Sequence, residues 1–452
     1  MAKPKKIFRC SSCGFTHPQF MGRCTQCGLW NTLEEDFIEE EKNISLRRPC
    51  QARPINLKDI ASHETFRKAC GIGELDRVLG GGVVDGSFVL IGGDPGIGKS
   101  TLMLQMAHRL ASSGMRVLYV SGEESAPQLK IRAHRLGIDS DRIMVYPEVV
   151  LERIRDEIEG MNSDIVIIDS IQSIFSSSIE APPGGVSQIR HCAGILMEIA
   201  KGKGVTVFIV GHVTKDGWIA GPKMLEHMVD TVLTFEGDDT GAYRIVRTVK
   251  NRFGTSGEIG VFEMKASGLS EVKDPSSIFI HGLGGEVPGS AVMATIEGSR
   301  AFVVEVQALV SRTTFSMPRR IAMGSDQSRL AVLLAVLEKR AGIFLAQSDI
   351  VVNIAGGFKV TEPAVDLALV MAVASSAFDK PVPKGTVFIG EIGLSGELRP
   401  VNHMESRIRE AMKMGFTQAV IPDANRDTLS EQGAMKIIAA GNVKAALKII
   451  SS

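Results

Sequence analysis

The stretch Gly92-Gly93-Asp94-Pro95-Gly96-Ile97-Gly98-Lys99-Ser100-Thr101 decides how this chain is read. It has the spacing G-x-x-x-x-G-K-[ST], with Gly93, Gly98, Lys99 and Ser100 at the fixed positions. Glycines let a backbone curl until several N–H groups converge on one anion, and the helix that follows adds the positive end of its dipole. In such a loop the residues from Gly93 to Thr101 hold the phosphates of a nucleotide. Lys99 reaches the β- and γ-phosphates, and the Ser100 hydroxyl ligates Mg²⁺. The flanks agree: Ser87 to Ile91 reads as a short buried strand, and Thr101 to Ser112 as an amphipathic helix stopped near Gly114. The expected ligands are ATP and Mg²⁺.

Two further strands end in acids. Asp164-Ile165-Val166-Ile167-Ile168-Asp169 places Asp169 at a strand end, where a carboxylate holds Mg²⁺ through its water. Val117-Leu118-Tyr119-Val120-Ser121-Gly122 leads into Glu123 and Glu124, either of which can polarise an attacking water, with Glu123 preferred. Ile209-Val210-Gly211-His212 ends a third strand; His212 either senses the γ-phosphate or is satisfied by the backbone. With Val205 to Val210 and Val229 to Phe235, the alternation from residue 56 to 274 predicts an α/β domain. Its sheet is expected to be mostly parallel and covered on both faces. After Asp274-Pro275 the texture changes. Runs at Ala301 to Val310 and Val387 to Ile392, with helices at Arg329 to Arg340 and Glu362 to Ser375, predict a second, α+β domain over 275–452.

The 452 residues suffice for two or three domains, and 51 basic against 51 acidic residues leave any nucleic-acid surface to a local patch. No long uncharged apolar run suggests a membrane span and the N-terminus lacks a secretory pattern, so a cytoplasmic protein without membrane partners is expected. Four of the seven cysteines form Cys10-x-x-Cys13 and Cys24-x-x-Cys27. Two such knuckles complete a tetrahedral Zn²⁺ site with no open position for catalysis. Residues 1–33 are read as this zinc module and the acid-rich 34–55 as a solvated linker. Cys50, Cys70 and Cys192 read as packing residues.

Several stretches together resemble the bacterial RadA (Sms) recombination and repair ATPases over nearly the whole chain. They are the four-cysteine module followed by Gly28-Leu29-Trp30-Asn31-Thr32, the run Leu75-Asp76-Arg77-Val78-Leu79-Gly80-Gly81-Gly82, the phosphate loop, and Lys250-Asn251-Arg252-Phe253-Gly254. The resemblance implies a RecA-like core that assembles as a homo-hexameric ring around DNA, with Lys250 and Arg252 acting in trans on the neighbouring subunit's ATP. It implies a DNA-dependent ATPase, a ring motor or helicase promoting branch migration in recombination and repair. The implied partners are single-stranded and branched DNA and a RecA-type recombinase, with the zinc module contacting DNA or protein. Lys215, Trp218 and Lys223 fit a DNA contact, in which an aromatic ring stacks on a base between charges that neutralise phosphates. Ser176 to Arg190, with Pro182-Pro183-Gly184-Gly185, reads as a mobile loop.

Residues from about 280 onward resemble the proteolytic domain of Lon proteases, through Phe388-Ile389-Gly390-Glu391-Ile392-Gly393-Leu394-Ser395-Gly396-Glu397-Leu398 and Glu362-Pro363-Ala364. Where that family needs a Ser nucleophile and a Lys base, this chain has Ala364 and Glu405, which implies a proteolytically inactive domain. Two alternatives stay open: a nucleotide-gated scaffold that does not translocate, and an ATP-dependent protease, against which Ala364 argues.

Overall fold

Short runs of Val and Ile between helices cannot bury both their faces alone, and here they pair into one twisted sheet. In the computed structural model the order in space is Gly268–Glu271, Ile259–Lys265, Tyr243–Asn251, Thr231–Gly237, Phe88–Gly93, Thr206–His212, Ile165–Asp169, Val117–Ser121 and Ile143–Tyr146. From Thr231–Gly237 to Ile143–Tyr146 all neighbours are parallel. Side chains alternate between two cores, as a pleated strand requires. Val89, Ile91, Tyr119, Ile167 and Phe208 face one core, where the helix Lys99–Ser112 packs through Leu102, Met103, Met106 and Leu110. Phe88, Leu90, Val120, Ile168 and Ile209 face the other, covered by Leu151–Met161 and Val186–Lys203. The structure describes residues 5–10, 16–17, 22–25, 27–30, 33–38, 56, 67–212, 223–237, 242–280, 282, 284, 287–314, 317–357, 360–427, 429 and 435–451.

The strands Tyr243–Asn251, Ile259–Lys265 and Gly268–Glu271 form an antiparallel wing that the hydrophobic pattern does not announce. The wing packs on the helix Gly73–Val78, where the Thr248 hydroxyl donates to the Val78 carbonyl at 2.7 Å and Glu74 accepts from the Val261 N–H at 2.9 Å. Gln105 on the phosphate-loop helix clamps the wing, accepting from the Leu269 N–H at 3.0 Å and donating to the Leu269 carbonyl at 3.1 Å. The wing also packs against a second, mixed sheet: Arg320–Met323, Ser348–Ile354, Arg300–Arg312, Ser290–Glu297, Thr386–Phe388, Gln418–Pro422 and Lys436–Ala440. Ile245, Ile259 and Val261 of the wing share one hydrophobic core with Phe279, just after the turn Pro275–Ile278, with Met293 and Phe302 of the second sheet and with the helix Asp366–Phe378. Buried ion pairs cross the same boundary. Arg300 Nη1 lies 2.9 and 3.1 Å from the two Glu74 oxygens, and Arg247 Nη1 lies 2.5 Å from Glu297. The two domains therefore belong to one unit, Thr65–Ser452.

Met1–Glu64 is a separate unit. Its described strands are Lys5–Cys10, Thr16–His17 and Leu33–Ile38. The start of the expected linker at residue 34 is corrected here. Leu33–Ile38 pairs antiparallel with Lys5–Cys10, with Arg9 opposite Glu34 and Phe8 opposite Glu35. Leu33, Phe37 and Ile38 among the acids give the segment the composition of a strand. The mobile loop expected from Ser176 to Arg190 is also corrected. Gln188, 1% exposed, donates to the carbonyls of Ser176, Ile179 and Ala181, each at 3.0 Å, and the helix has already begun at Val186. No described helix is long and apolar enough to cross a membrane.

Phe302, fully buried and 6.4 Å centroid to centroid from Phe279, stands in the shared core. Phe302→Ala is expected to destabilise the protein by about 3–5 kcal/mol. Because the core is shared, circular dichroism and fluorescent-nucleotide binding should be lost in one urea transition; two separated transitions would contradict a common core.

Candidate active site

The phosphate loop leaves its strand at Gly93, where a side chain would lie 2.8 Å from Phe235 Cβ and its carbonyl oxygen. Gly98 opens the helix at φ +121°, a left-handed conformation that disfavours any side chain. Asp94, Pro95 and Gly96 are exposed at the loop tip, Ile97 and Ser100 are half-buried, and Thr101 is buried. Arg244 Nε braces the loop by donating to the Ile97 carbonyl at 2.9 Å. Lys99 is only 4% exposed and folds back on the loop. Its Nζ donates to the carbonyls of Gly93 at 2.7 Å and Asp94 at 2.8 Å and lies 3.3 Å from His212 Nδ1. Burial pushes the Lys99 pKa down, against the opposing charges of Asp169, Glu123 and Asp94.

Asp169 is buried at its strand end, and its Oδ2 accepts from the Tyr119 hydroxyl at 2.6 Å. Burial, and then the Asp169 charge, raise the Tyr119 pKa well above its ordinary value, so the phenol stays a neutral donor. Glu123 Oε1 accepts from the Ser170 hydroxyl and lies 2.9 Å from His212 Nε2. Burial works to raise the Glu123 carboxyl, but the hydrogen bonds from Ser170 and His212 and the charges of His212 and Lys99 hold it below its usual range. Glu124 turns the other way, into an ion pair with Arg132. The structure thus gathers Lys99, Asp169, Glu123 and His212 and sets Glu124 apart. The His212 ring is held by side chains, not by the backbone. Sequence reasoning missed Tyr119, Ser170 and Gln105. Tyr119 was in view as the middle of a strand whose alternate residues line one core, yet nothing local marks its hydroxyl.

Lys250 and Arg252 lie elsewhere. Lys250 Nζ donates to the carbonyls of Glu226 at 2.6 Å and Val229 at 2.9 Å. Burial, and then the Arg252 charge, lower its pKa against Asp230 and Glu226. Arg252 is 56% exposed, with Nη1 3.4 Å from the buried Asp230. Asn251 pairs with Thr231, and Thr231 with Val89, four residues before Gly93. At about 3.3 Å per residue, Arg252 sits level with the start of the phosphate-loop strand, roughly 13 Å back from its end. Of the expected DNA contacts, Lys215 and Trp218 lie outside the described residues. Lys223 opens the helix Lys223–Met228, and its side chain is likewise outside them.

In the N-terminal unit Cys10 ends the first strand and Cys13 lies outside the described residues. Cys24 and Cys27 sit on a tight turn, in which the Gly28 N–H donates to the Cys24 carbonyl at 2.9 Å and the Cys24 N–H to the Leu29 carbonyl at 3.0 Å. Gly28, at φ +74°, permits that turn, which fits a knuckle presenting two thiolates to one ion.

The second sheet carries a cleft of about 300 Å³ beside Ala364, Glu362, His403 and Arg407. Glu405 lines the neighbouring hollow instead. No serine, threonine, cysteine or lysine is among the described residues lining the cleft. Its floor is a bidentate pair. Arg407, 2% exposed, donates to both Glu362 oxygens at 2.6 Å, and Thr295 Oγ1 and the Ile296 N–H complete the set.

Fold and sites define a RecA-like P-loop ATPase with an N-terminal zinc ribbon and a C-terminal Lon-protease-like domain. The AAA domain family matches residues 51–218, the rubredoxin metal binding domain residues 8–35, and subunit ChlI of Mg-chelatase residues 321–425. DNA repair protein RadA of Bacillus subtilis (strain 168) is 49% identical over 453 residues, covering 99% of each chain. The RadA protein of Pseudomonas aeruginosa is 48% identical over 450 residues, again with 99% coverage of both. The chain belongs to this RadA family. A KaiC-like protein from Pyrococcus horikoshii OT3 aligns with a TM-score of 0.40 at 24% identity, covering 46% of this chain and 99% of that one.

Burial works to raise the Glu362 carboxyl, but Arg407, Thr295 and the Ile296 N–H hold it below its usual range. A depressed carboxylate stabilises the fold above its unfolded pKa, and that contribution is lost as pH falls through the folded value. Arg407→Ala should therefore cost about 3 kcal/mol at neutral pH. The difference from the parent protein in urea denaturation should shrink under acid conditions.

Proposed function

We propose that this chain is a DNA-stimulated ATPase of repair and homologous recombination. It works as a homo-hexameric ring motor that promotes branch migration or strand unwinding on single-stranded and branched DNA. One observation carries the reading: Arg252 stands more than half exposed at the end of the sheet opposite its own phosphate loop. A cation so placed cannot serve the nucleotide of its own chain, but it suits the nucleotide of a neighbour. Lys250, tied to two carbonyls of its own chain, takes the lesser share of that role.

In this reading the amides from Gly93 to Thr101 hold the phosphates, and Lys99 leaves its loop carbonyls to meet the γ-phosphate. Ser100 and Asp169 hold Mg²⁺, which neutralises charge on the phosphate oxygens when bound. Tyr119 fixes Asp169, leaving its other oxygen available. Glu123 orients the attacking water and accepts its proton. Lys215, Trp218 and Lys223 contact DNA. Cys10, Cys13, Cys24 and Cys27 hold Zn²⁺ in a module that meets DNA or a RecA-type recombinase. The cleft beside Ala364 performs no proteolysis, because no hydroxyl or thiol nucleophile and no amine base is among the described residues lining it. The protein works in the cytoplasm.

Lys99→Ala should abolish hydrolysis, and Arg252→Ala should bind nucleotide normally yet lose DNA-stimulated turnover. Mixing the two inactive variants should restore ATPase activity, because an interface then pairs an intact loop with an intact Arg252. Mixed rings that remain inactive would refute the trans assignment. Zinc chelation should unfold residues 5–38 while the unit from residue 65 keeps its hydrogen-exchange protection; an unchanged exchange pattern in 5–38 would count against a metal-held module.

A further inference from the structure

Ser170 follows Asp169 directly and is fully buried. Its hydroxyl donates to Glu123 Oε1, the oxygen that also lies 2.9 Å from His212 Nε2. The other His212 nitrogen lies 3.3 Å from Lys99, which is itself committed to two carbonyls of its own loop. Lys99, His212, Glu123 and Ser170 are thus linked in one line of polar contacts. Two hydrogen bonds to Oε1 fix the direction of the whole Glu123 carboxylate, so its other oxygen can take the proton of an attacking water only where that orientation points it. The four groups are not equally free to move. Glu123 lies on the loop after the strand Val117–Ser121 and is 44% exposed, whereas Lys99 opens the helix Lys99–Ser112 and His212 ends the strand Thr206–His212. Ser170 is fixed by the strand end that carries Asp169, and its carbonyl accepts from Ser173 Oγ at 2.7 Å.

We propose that Ser170 is a positioning residue that restrains Glu123 and holds hydrolysis low in the absence of DNA. The inference rests on the reading of Glu123 as the residue that activates water. Relief comes when Glu123 turns from the Ser170 hydroxyl towards the water beside the γ-phosphate. Ser170 itself touches neither water nor nucleotide in this scheme.

The test is steady-state ATPase of the full-length protein with and without single-stranded DNA. Ser170→Ala should raise kcat without DNA several-fold, leave KM for ATP unchanged and narrow the stimulation by DNA. Ser170→Thr, which keeps the hydroxyl, should behave as the parent protein. Glu123 is 44% exposed, so water can replace the lost donor and the alanine variant is expected to fold. A thermal melt checks this, and Ser170→Gly serves as the second variant. A fall in DNA-free kcat in the alanine and glycine variants would show that the hydroxyl aids catalysis, and an unchanged rate would show that it restrains nothing; either overturns the proposal. Glu123→Gln separates the underlying reading: normal hydrolysis there removes the base assignment. An inactive Glu123→Gln beside an unaltered Ser170→Ala removes only the restraint.

Discussion

Four parallel strands end within about two residues of one another, and the nucleotide site exists because they do. Ser121 pairs with Asp169, Ile209 with Ile168, and His212 with Gly93. Lys99, Glu123, Ser170 and His212 stand at or just beyond this edge. Shifting any of these strands by one residue would turn its core residues to the wrong face and carry its functional residue out of reach. The hydrophobic alternation that fills the two cores is therefore also what aligns the chemistry. Ligand sites at the carboxyl ends of parallel strands follow from the same geometry in open α/β sheets generally.

The opposite end of the sheet is a second working edge. There Asp230, buried, accepts the Phe88 N–H at 2.9 Å and pairs with Lys201, and it also faces Arg252. The start of the phosphate-loop strand and the exposed arginine are thus tied to one carboxylate. The strand that leads to Arg252 also holds Arg247, which pairs with Glu297 across the domain boundary. Glu297 lies near Glu362, the floor of the C-terminal cleft, and burial, its largest influence, raises its pKa against Arg247. One strand therefore joins the end that bears Arg252 to the second domain, and the shared core makes this connection stiff.

The Lon-like domain keeps a cleft whose described lining holds no serine, threonine, cysteine or lysine. Ala364 offers only a methyl group, and Arg407 occupies the floor with a guanidinium that cannot act as a base. What is retained is packing: the helix Asp366–Phe378 is buried along most of its length, and Asp366, fully buried, is held by Arg329 and the Ile392 N–H. The domain completes the hydrophobic core that Ile245, Ile259 and Val261 of the wing enter.

Much of the site was legible in the residues themselves. The phosphate loop, the strand-end acids and the cysteine knuckles are local patterns, because a tight turn or a strand end is set by neighbours in sequence. The strand Leu33–Ile38 was hidden by its charge, and the antiparallel wing by its irregular burial, since pairing with partners distant in sequence overrides local composition. Gln188 pins a loop that its prolines and glycines suggest is free. The sequence by itself determined the local patterns: the glycines and Lys99 of the phosphate loop, the paired cysteine knuckles, and an alanine at 364. Tertiary structure alone decided that Glu123 and not Glu124 faces Lys99 and that Tyr119 holds Asp169. It alone set Arg252 at the far end of the sheet, because strand order and register place side chains that no spacing along the chain can relate.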